Sequence, residues 1–375
     1  MDGYFETIVI GGGQAGLAAG YYLSRQRTSF VILDAQERVG DAWRTRWDSL
    51  RLFTPAKYDG LPGMRFPSRR LAFPTKDEVA DYMAEYARRF ALPVRNGVRV
   101  ERIERAGDRF VLLTSAGRFE AANVVVATGA YRTPKTPAFA GELDTRIRQL
   151  HSSDYRNPRQ LPDGAVLVVG LGNSGAEIAW DVREGRHVYV AGSPAGQLPV
   201  KHGAAAAVLV LPLIRFMGTH VLTVDTPVGR KVLPKIKTAP LIRIKVKDLV
   251  AAGIERVSRV VGVREGRPLL EDGHTLDVAC VIWCTGFRND LRWIDVPNAF
   301  GADGKPAQYR GVATAVPGLY FVGMEHQYAA ISDVLPGVGR DAGYVVHQIV
   351  QRMNQDRLDE KEGTVRHDAT DLAVR

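Results

Sequence analysis

Cysteine is almost absent from this sequence: Cys280 and Cys284 are the only two. That excludes a disulfide framework and a multi-cysteine metal site. The pair shares one apolar run, Val278 to Cys284, and a spacing of four along a strand would hold the thiols ~13 Å apart, too far to bridge. Long apolar runs are missing as well. None reaches the roughly 18 residues of a membrane span, and the richest, Gly203 to Ile214, is interrupted by Pro212. It reads as a buried or pocket-lining helix, and it could line a lipophilic pocket together with Tyr328 to Ile331. No Gly-x-Ser-x-Gly elbow and no His-Glu-x-x-His occurs, so neither hydrolase chemistry nor a metal centre is predicted. A core strand begins within five residues of Met1, leaving no room for a charged and apolar leader. These absences predict a cytoplasmic protein with no transmembrane segment.

The remaining composition is ordinary. The 375 residues suffice for two medium domains, and 45% apolar and 24% charged residues are soluble-protein values. A net charge of +9 invites a nucleic-acid partner, but the cations are interleaved with 41 acids and no nucleic-acid motif accompanies them. No nucleic acid is therefore expected; the charge reads as a solvated surface with some pull on anionic ligands.

What is present is a strand, a glycine turn, a helix, a second strand and an acid, all in register. The apolar run Phe5 to Ile10 leads into Gly11-Gly-Gly13-Gln14-Ala15-Gly16, a helical stretch follows, and Phe30 to Leu33 ends in Asp34. Gly11 permits the sharp turn, Gly13 lets a pyrophosphate approach the backbone, and Gly16 lets helix and strand pack closely. The helix N-terminus offers unpaired N–H groups, and Asp34 can accept both ribose hydroxyls. Past Asp34, the stretch from Val39 to Pro55 holds Trp43, Trp47 and three arginines. It suits a loop against a flat, anionic cofactor, or a surface loop pinned by its tryptophans. Thr75 caps an amphipathic helix from Asp77 to Phe90, a small antiparallel meander follows, and Asn123 to Gly129 is a buried parallel strand.

The opening pattern then recurs. The strand from Gly164 to Val169 enters Gly170-Leu-Gly172-Asn173-Ser174-Gly175, 159 residues after the first turn, followed by a helix and a strand from His187 to Val190. Two such units in one chain make sense when electrons pass between a nicotinamide and a flavin. The second lacks the terminal acid, which favours NADP over NAD, with Ser193, Lys201 and His202 as the local candidates for a 2′-phosphate. Leu241 to Ala252 reads as a basic helix, and Ile254 to Val263, Pro268 to Leu270 and Thr275 to Trp283 as strands. Both units end in Thr-Gly, at Gly129 and Gly286, where a missing side chain allows close approach to a cofactor. Gly318 to Gly323 is a closing strand, Gly337 to Val350 a glycine-led helix, and the polar stretch after Asn354 a mobile tail.

The motifs Gly11-x-Gly-x-x-Gly16, Gly40-x-x-Trp43, Ala127-Thr-Gly129, Phe139-x-Gly141 with His151-Ser-Ser-x-Tyr155, Gly170-x-Gly-x-x-Gly175 and Cys284-Thr-Gly-Phe287 resemble those of the flavin-containing monooxygenase family. The likeness is greatest to its small bacterial and YUCCA-like members. The resemblance implies an α/β fold with two Rossmann-like domains. An FAD domain (1–160 and 289–353) would carry an inserted NADPH domain (161–288), with 354–375 as the tail. It implies that one atom of O2 is delivered, through a flavin 4a-peroxide, to a small soft nucleophile: an amine, a sulfide or a carbonyl compound.

By the same resemblance, Gly11 to Gly16 and Asp34 hold FAD, Gln36, Trp43 and Thr54 lie along its ribityl and flavin portion, and Gly170 to Gly175 hold NADPH. A homodimer is compatible with it. Phe53 stands where animal-type members carry Asn, and Tyr155 replaces the Trp of Baeyer–Villiger enzymes. The candidates for catalytic roles are His151 and Arg51. A histidine beside two serines in a linker favours a hydrogen-bond partner over a general base, and Arg51 and Arg340, the latter beside Asp341, are candidate cations for a phosphate or flavin oxygen. The rival reading is an NAD(P)H-dependent flavin reductase or oxidase. A disulfide reductase would need a cysteine pair beside the flavin, which neither unit carries.

Overall fold

The computed structural model describes residues 3–129, 133–236 and 238–372, with side chains in the last helix as far as Asp359. Ala130, at the first Thr-Gly exit, lies outside the described residues. The chain opens with β1 (Gly3–Ile10), α1 (Gln14–Ser24) and β2 (Phe30–Leu33), continues through α2 (Lys76–Arg89) to β3 (Val94–Arg95), and forms the meander β4 (Val100–Ala106), β5 (Arg109–Thr114) and β6 (Gly117–Val126). Thr75 and Glu78 close a reciprocal capping box at the start of α2, a device worth about 1 kcal/mol. The face of α2 bearing Val79, Tyr82, Met83 and Tyr86 is buried with Leu17 and Ala18 of α1.

The inserted unit contains β7 (Arg148–His151), β8 (Val166–Val169), α3 (Asn173–Val182), β9 (Val188–Ala191), β10 (Glu255–Val257) and β11 (Cys280–Trp283). Its sheet runs β10-β9-β8-β11-β7, every pair parallel, with Val168 beside both Val190 and Ile282. Strand β7 belongs to this sheet although it precedes residue 161, because Trp283 registers with His151. The linker motif is thus the edge of the second sheet.

The chain then returns to the first unit with β12 (Leu319–Phe321) and α4 (Leu335–Leu372). Strand β12 pairs with the second half of β6, completing a parallel order β3-β2-β1-β6-β12, while the first half of β6 pairs antiparallel with β5. One face of this sheet is covered by α1 and α4, the other by the meander and the segment around Leu291 to Phe300.

Several sequence expectations shift. Helix α4 runs unbroken to Leu372, so the stretch expected as a tail is helical. Only Val246–Ala251 of the expected basic helix is helical, and the strand expected from Thr275 shrinks to β11. The apolar stretch at Gly203 is not one buried helix: it splits into Ala204–Leu209 and Leu211–Phe216, and Pro212 sits in the first turn of the second, where its missing N–H costs nothing. Val208 lies in solvent rather than in a pocket wall.

The loop with two tryptophans is the seam between the units. Trp43 packs against the core of the first, whereas Trp47 is buried in the core of the second, beside Tyr155 and Val168. Around it, the Asp48 amide donates to Arg156 O (2.8 Å), Asn157 Nδ2 to Asp48 Oδ2 (2.8 Å) and Lys57 Nζ to Ala207 O (3.0 Å).

Candidate functional site

The two glycine turns are built alike, atom for atom. The Gly11 amide donates to Leu33 O at 2.8 Å, and the Gly170 amide to Ala191 O at 2.9 Å. Both glycines have left-handed φ, +110° and +106°, and a Cβ on either would stand 2.5 Å from Ala127 O or 2.3 Å from Cys284 O. One turn later, a Cβ on Gly16 or on Gly175 would stand 1.8 Å from the carbonyl oxygen of Gly11 or of Gly170. Close contact with backbone therefore fixes the first and third glycines of each motif. Gly13 and Gly172 differ: nothing lies within 4 Å of a Cβ at either. Each is the N-cap of its helix with no side chain capping it, so a dipole end and N–H donors face open space, the arrangement that suits an anion.

At the ends of the second strands the units diverge. The Asp34 carboxylate lies against the first turn, accepting from the Gln36 amide at 3.5 Å, and a Cβ on Gly12 would stand 2.6 Å from its Oδ2. Burial raises its pKa, which suits an acceptor awaiting hydroxyl donors. The residue in the matching place is Gly192, with φ +113° and 3.4 Å from a notional Cβ to the Leu171 amide nitrogen. No acid therefore stands at this strand end.

The strand exits are fastened to each other. Gly129 (φ +71°) and Gly286 (φ +81°) both have open space where a Cβ would be. Just beyond them, Thr133 and Pro134 pair antiparallel with Arg288 and Phe287, and the Lys135 amide donates to Gly286 O at 3.0 Å. His151 joins this knot. The Ser153 amide donates to its Nδ1 (3.2 Å), leaving the proton on Nε2, which donates to Gly286 O at 3.0 Å. Burial lowers the imidazole pKa. Both ring nitrogens are engaged, so His151 holds the second exit in place and has no free site for base catalysis.

Other candidates are occupied by the protein. Arg51 is exposed and its guanidinium donates to Phe73 O at 3.2 Å. Arg340 lies on the buried Asp341 at 2.7 Å, donates to Thr219 O at 3.0 Å and stands 4.5 Å over the Tyr328 ring, while Asp341 Oδ2 is buried without a hydrogen-bond partner among the described residues. Asn173 clamps the chain through Pro240 O and the Ile242 amide, both at 3.0 Å. Gln14 Nε2 reaches Asp333 O at 3.3 Å, and the exposed Gln36 ties down Gly97 through its carbonyl. Trp43 is half-buried against the first core beside Gly40, whose φ of +93° brings it against Ala80 O. Ala15 and Ser174 stand in the first turns of α1 and α3. His202 is also engaged, its Nε2 donating to Phe53 O at 2.8 Å, and Ser193 follows Gly192 directly in the chain.

Thr54 gives its hydroxyl to Asp59, a fully buried carboxylate whose Oδ2 has no partner. Nothing in the spacing of the sequence marks Asp59; only its burial does. Burial pushes its pKa to about 7. Burial likewise raises the thiols Cys280 and Cys284 to about 11 and about 12, so both stay protonated near neutrality and neither is an exchange nucleophile.

The pyridine nucleotide-disulphide oxidoreductase family model matches residues 8–201. The chain is 37% identical over 352 residues to the uncharacterized oxidoreductase CzcO-like of Geobacillus kaustophilus, covering 93% of this chain and 99% of that one. It is 28% identical over 399 residues to indole-3-pyruvate monooxygenase YUCCA4 of Oryza sativa subsp. japonica, covering 93% and 88%. Among solved structures, the flavin-containing monooxygenase of Stenotrophomonas maltophilia matches with a TM-score of 0.75 at 30% identity, covering 94% of this chain and 100% of that one.

The Asp59 carboxyl supplies a pH test. Its folded pKa, about 7 against 3.8 in the open chain, means the folded state holds the proton longer, so its contribution is favourable below about pH 4 and is lost as pH rises to 7. Asp59→Asn removes the charge and keeps the size. It should raise the melting temperature at pH 8, by a gain on the order of 3 kcal/mol, and make no difference at pH 4. Equal melting shifts at both pH values would show that the buried carboxyl does not titrate there.

Proposed function

The chain belongs to the pyridine nucleotide-disulphide oxidoreductase family, in its flavin-containing monooxygenase branch, and from that premise we propose that this oxidoreductase binds FAD in the first glycine turn and NADPH in the second. In this reading it transfers one oxygen atom of O2 to a small amine, sulfide or carbonyl compound. The observation that carries the reading is the hydrogen-bonded knot of Thr133 to Lys135 with Gly286 to Arg288. It brings the exits of the two nucleotide units together, as electron transfer between two bound cofactors requires.

When bound, FAD would take a hydride from NADPH and, once reduced, activate O2. The residues have simpler tasks. Gly13 and the first turn of α1 receive the FAD pyrophosphate and Asp34 the ribose; Gly172 and the first turn of α3 receive that of NADPH, with Gly192 leaving room for the 2′-phosphate and Ser193 and Lys201 beside it. His151 and the Lys135 amide fix Gly286, and the Trp47 seam holds the units in one orientation. Proximity achieved this way is the protein's main contribution, since the cofactors carry the reactive atoms. High thiol pKa values weigh against a disulfide substrate.

Hydrogen peroxide released per NADPH oxidised, measured with amines, sulfides and ketones in turn, tests the assignment. A monooxygenase gives a ratio well below one with at least one class, and oxygenated product in its place. A ratio of one throughout would favour the reductase or oxidase, for which Phe53 in place of an amide would be the first cause to examine. Cofactor choice has its own test. Ser193→Asp places a carboxylate by the proposed 2′-phosphate and should raise KM for NADPH about tenfold (~1.4 kcal/mol), with NADH little changed. A similar rise for both would remove Ser193 from the phosphate's neighbourhood.

A further inference from the structure

Between β9 and the helix Val246–Ala251 the inserted unit crosses over the first unit's loop at residues 56–73. Lys57 Nζ reaches Ala207 O at 3.0 Å, and the Phe73 and His202 rings lie 4.1 Å apart. On this crossing the short helices Ala204–Leu209 and Leu211–Phe216 bury Ala206, Ala207 and Leu211. Outward they carry Val208 (52% exposed), Leu209 (75%), Leu213 (61%) and Phe216 (54%), with Ile214 and Met217 beside them. Six large apolar side chains left in water within ten residues mark an interaction surface.

The charge around it is of one sign. Residues 56–73 and 201–217 contain Lys57, Arg65, Arg69, Arg70, Lys201 and Arg215, and one acid, Asp59. That acid is wholly buried. The even mixing of cations and acids read from the whole chain therefore fails here. The cations adjoin the apolar helices: the Arg215 guanidinium lies 5.0 Å over the Tyr58 ring, the Lys57 ammonium is 4.7 Å from the same ring, and the Lys57 amide donates to Arg70 O at 3.1 Å.

We propose that this face rests on an anionic lipid surface. Val208, Leu209, Leu213 and Phe216 enter the boundary between headgroups and acyl chains, and Arg69, Arg70 and Arg215 meet lipid phosphates. The contact lies in the plane of the surface: no helix among the described residues is long and apolar enough to cross a membrane. A second copy of the chain is the poorer occupant, because the same cations would face one another with no exposed acid between them.

The test is flotation of the full-length, flavin-loaded protein with vesicles of phosphatidylcholine alone or with added phosphatidylglycerol, at low and high salt. Binding is expected to the anionic vesicles only, and to fall as salt screens the cations. Leu213→Glu should abolish it while leaving flavin content and NADPH oxidation unchanged, since Leu213 touches neither nucleotide turn. Arg69→Glu with Arg70→Glu, which alters exposed loop side chains alone, should weaken partitioning at least 25-fold, at about fivefold per cation. It carries the test by itself if Leu213→Glu does not fold. Failure of the wild type to float, or flotation unchanged by the arginine pair, would overturn the proposal. So would a dimer in sedimentation velocity that Leu213→Glu dissociates, since the face would then join two copies.

Discussion

The structure depends on one contact made twice: a helical glycine lying against the carbonyl oxygen of the glycine that begins the turn. At Gly16 and Gly175 a Cβ would come within 1.8 Å of that oxygen, closer than any side chain can be. Neither residue has an unusual φ, so the requirement is space and not backbone conformation. This approach seats α1 on β1 and α3 on β8, and it aims both helix N-termini at the middle of the parallel sheets, where open α/β folds bind ligands. The open ground around Gly13 and Gly172 follows from it.

Two identical turns do not make an electron-transfer site unless they are held face to face. That is the task of segments outside the glycine motifs. Trp47 leaves the first unit and fills the second core, Tyr155 is buried beside it with its hydroxyl on Asp181 at 2.6 Å, and His151 ties the linker strand to Gly286. The family's linker motif, read in this light, is architectural. Its histidine fastens the second Thr-Gly exit through Gly286, and its tyrosine anchors the linker in the second core through Asp181.

Much of this was legible in the sequence because the constraints are local. The glycine spacing, the strand before it and the acid or its absence after it are set by contacts within one strand-helix-strand unit, and these were read with the right elements at both places. What escaped was set by partners far along the chain. Arg340, Asn173, His202 and Thr54 look like ligand groups by type, and their contacts with Asp341, the carbonyl of Pro240, that of Phe53 and Asp59 could not be read from the spacing. The alanine-rich stretch at residue 204 has a core-like composition and still lies half in water, because what covers a short helix depends on a loop over a hundred residues earlier. Polarity likewise misled at the end of the chain, where helical backbone continues to Leu372.

The central claim is that two separate nucleotide sites, each dependent on one glycine contact, coexist in this chain. Flavin content by absorbance and NADP+ affinity by calorimetry, measured on Gly16→Ala and Gly175→Ala, test it most directly. The account predicts that Gly16→Ala is purified without FAD, and that Gly175→Ala keeps its flavin while its NADP+ affinity falls at least tenfold (~1.4 kcal/mol). Full flavin occupancy in the first variant, or wild-type NADP+ binding in the second, would contradict it.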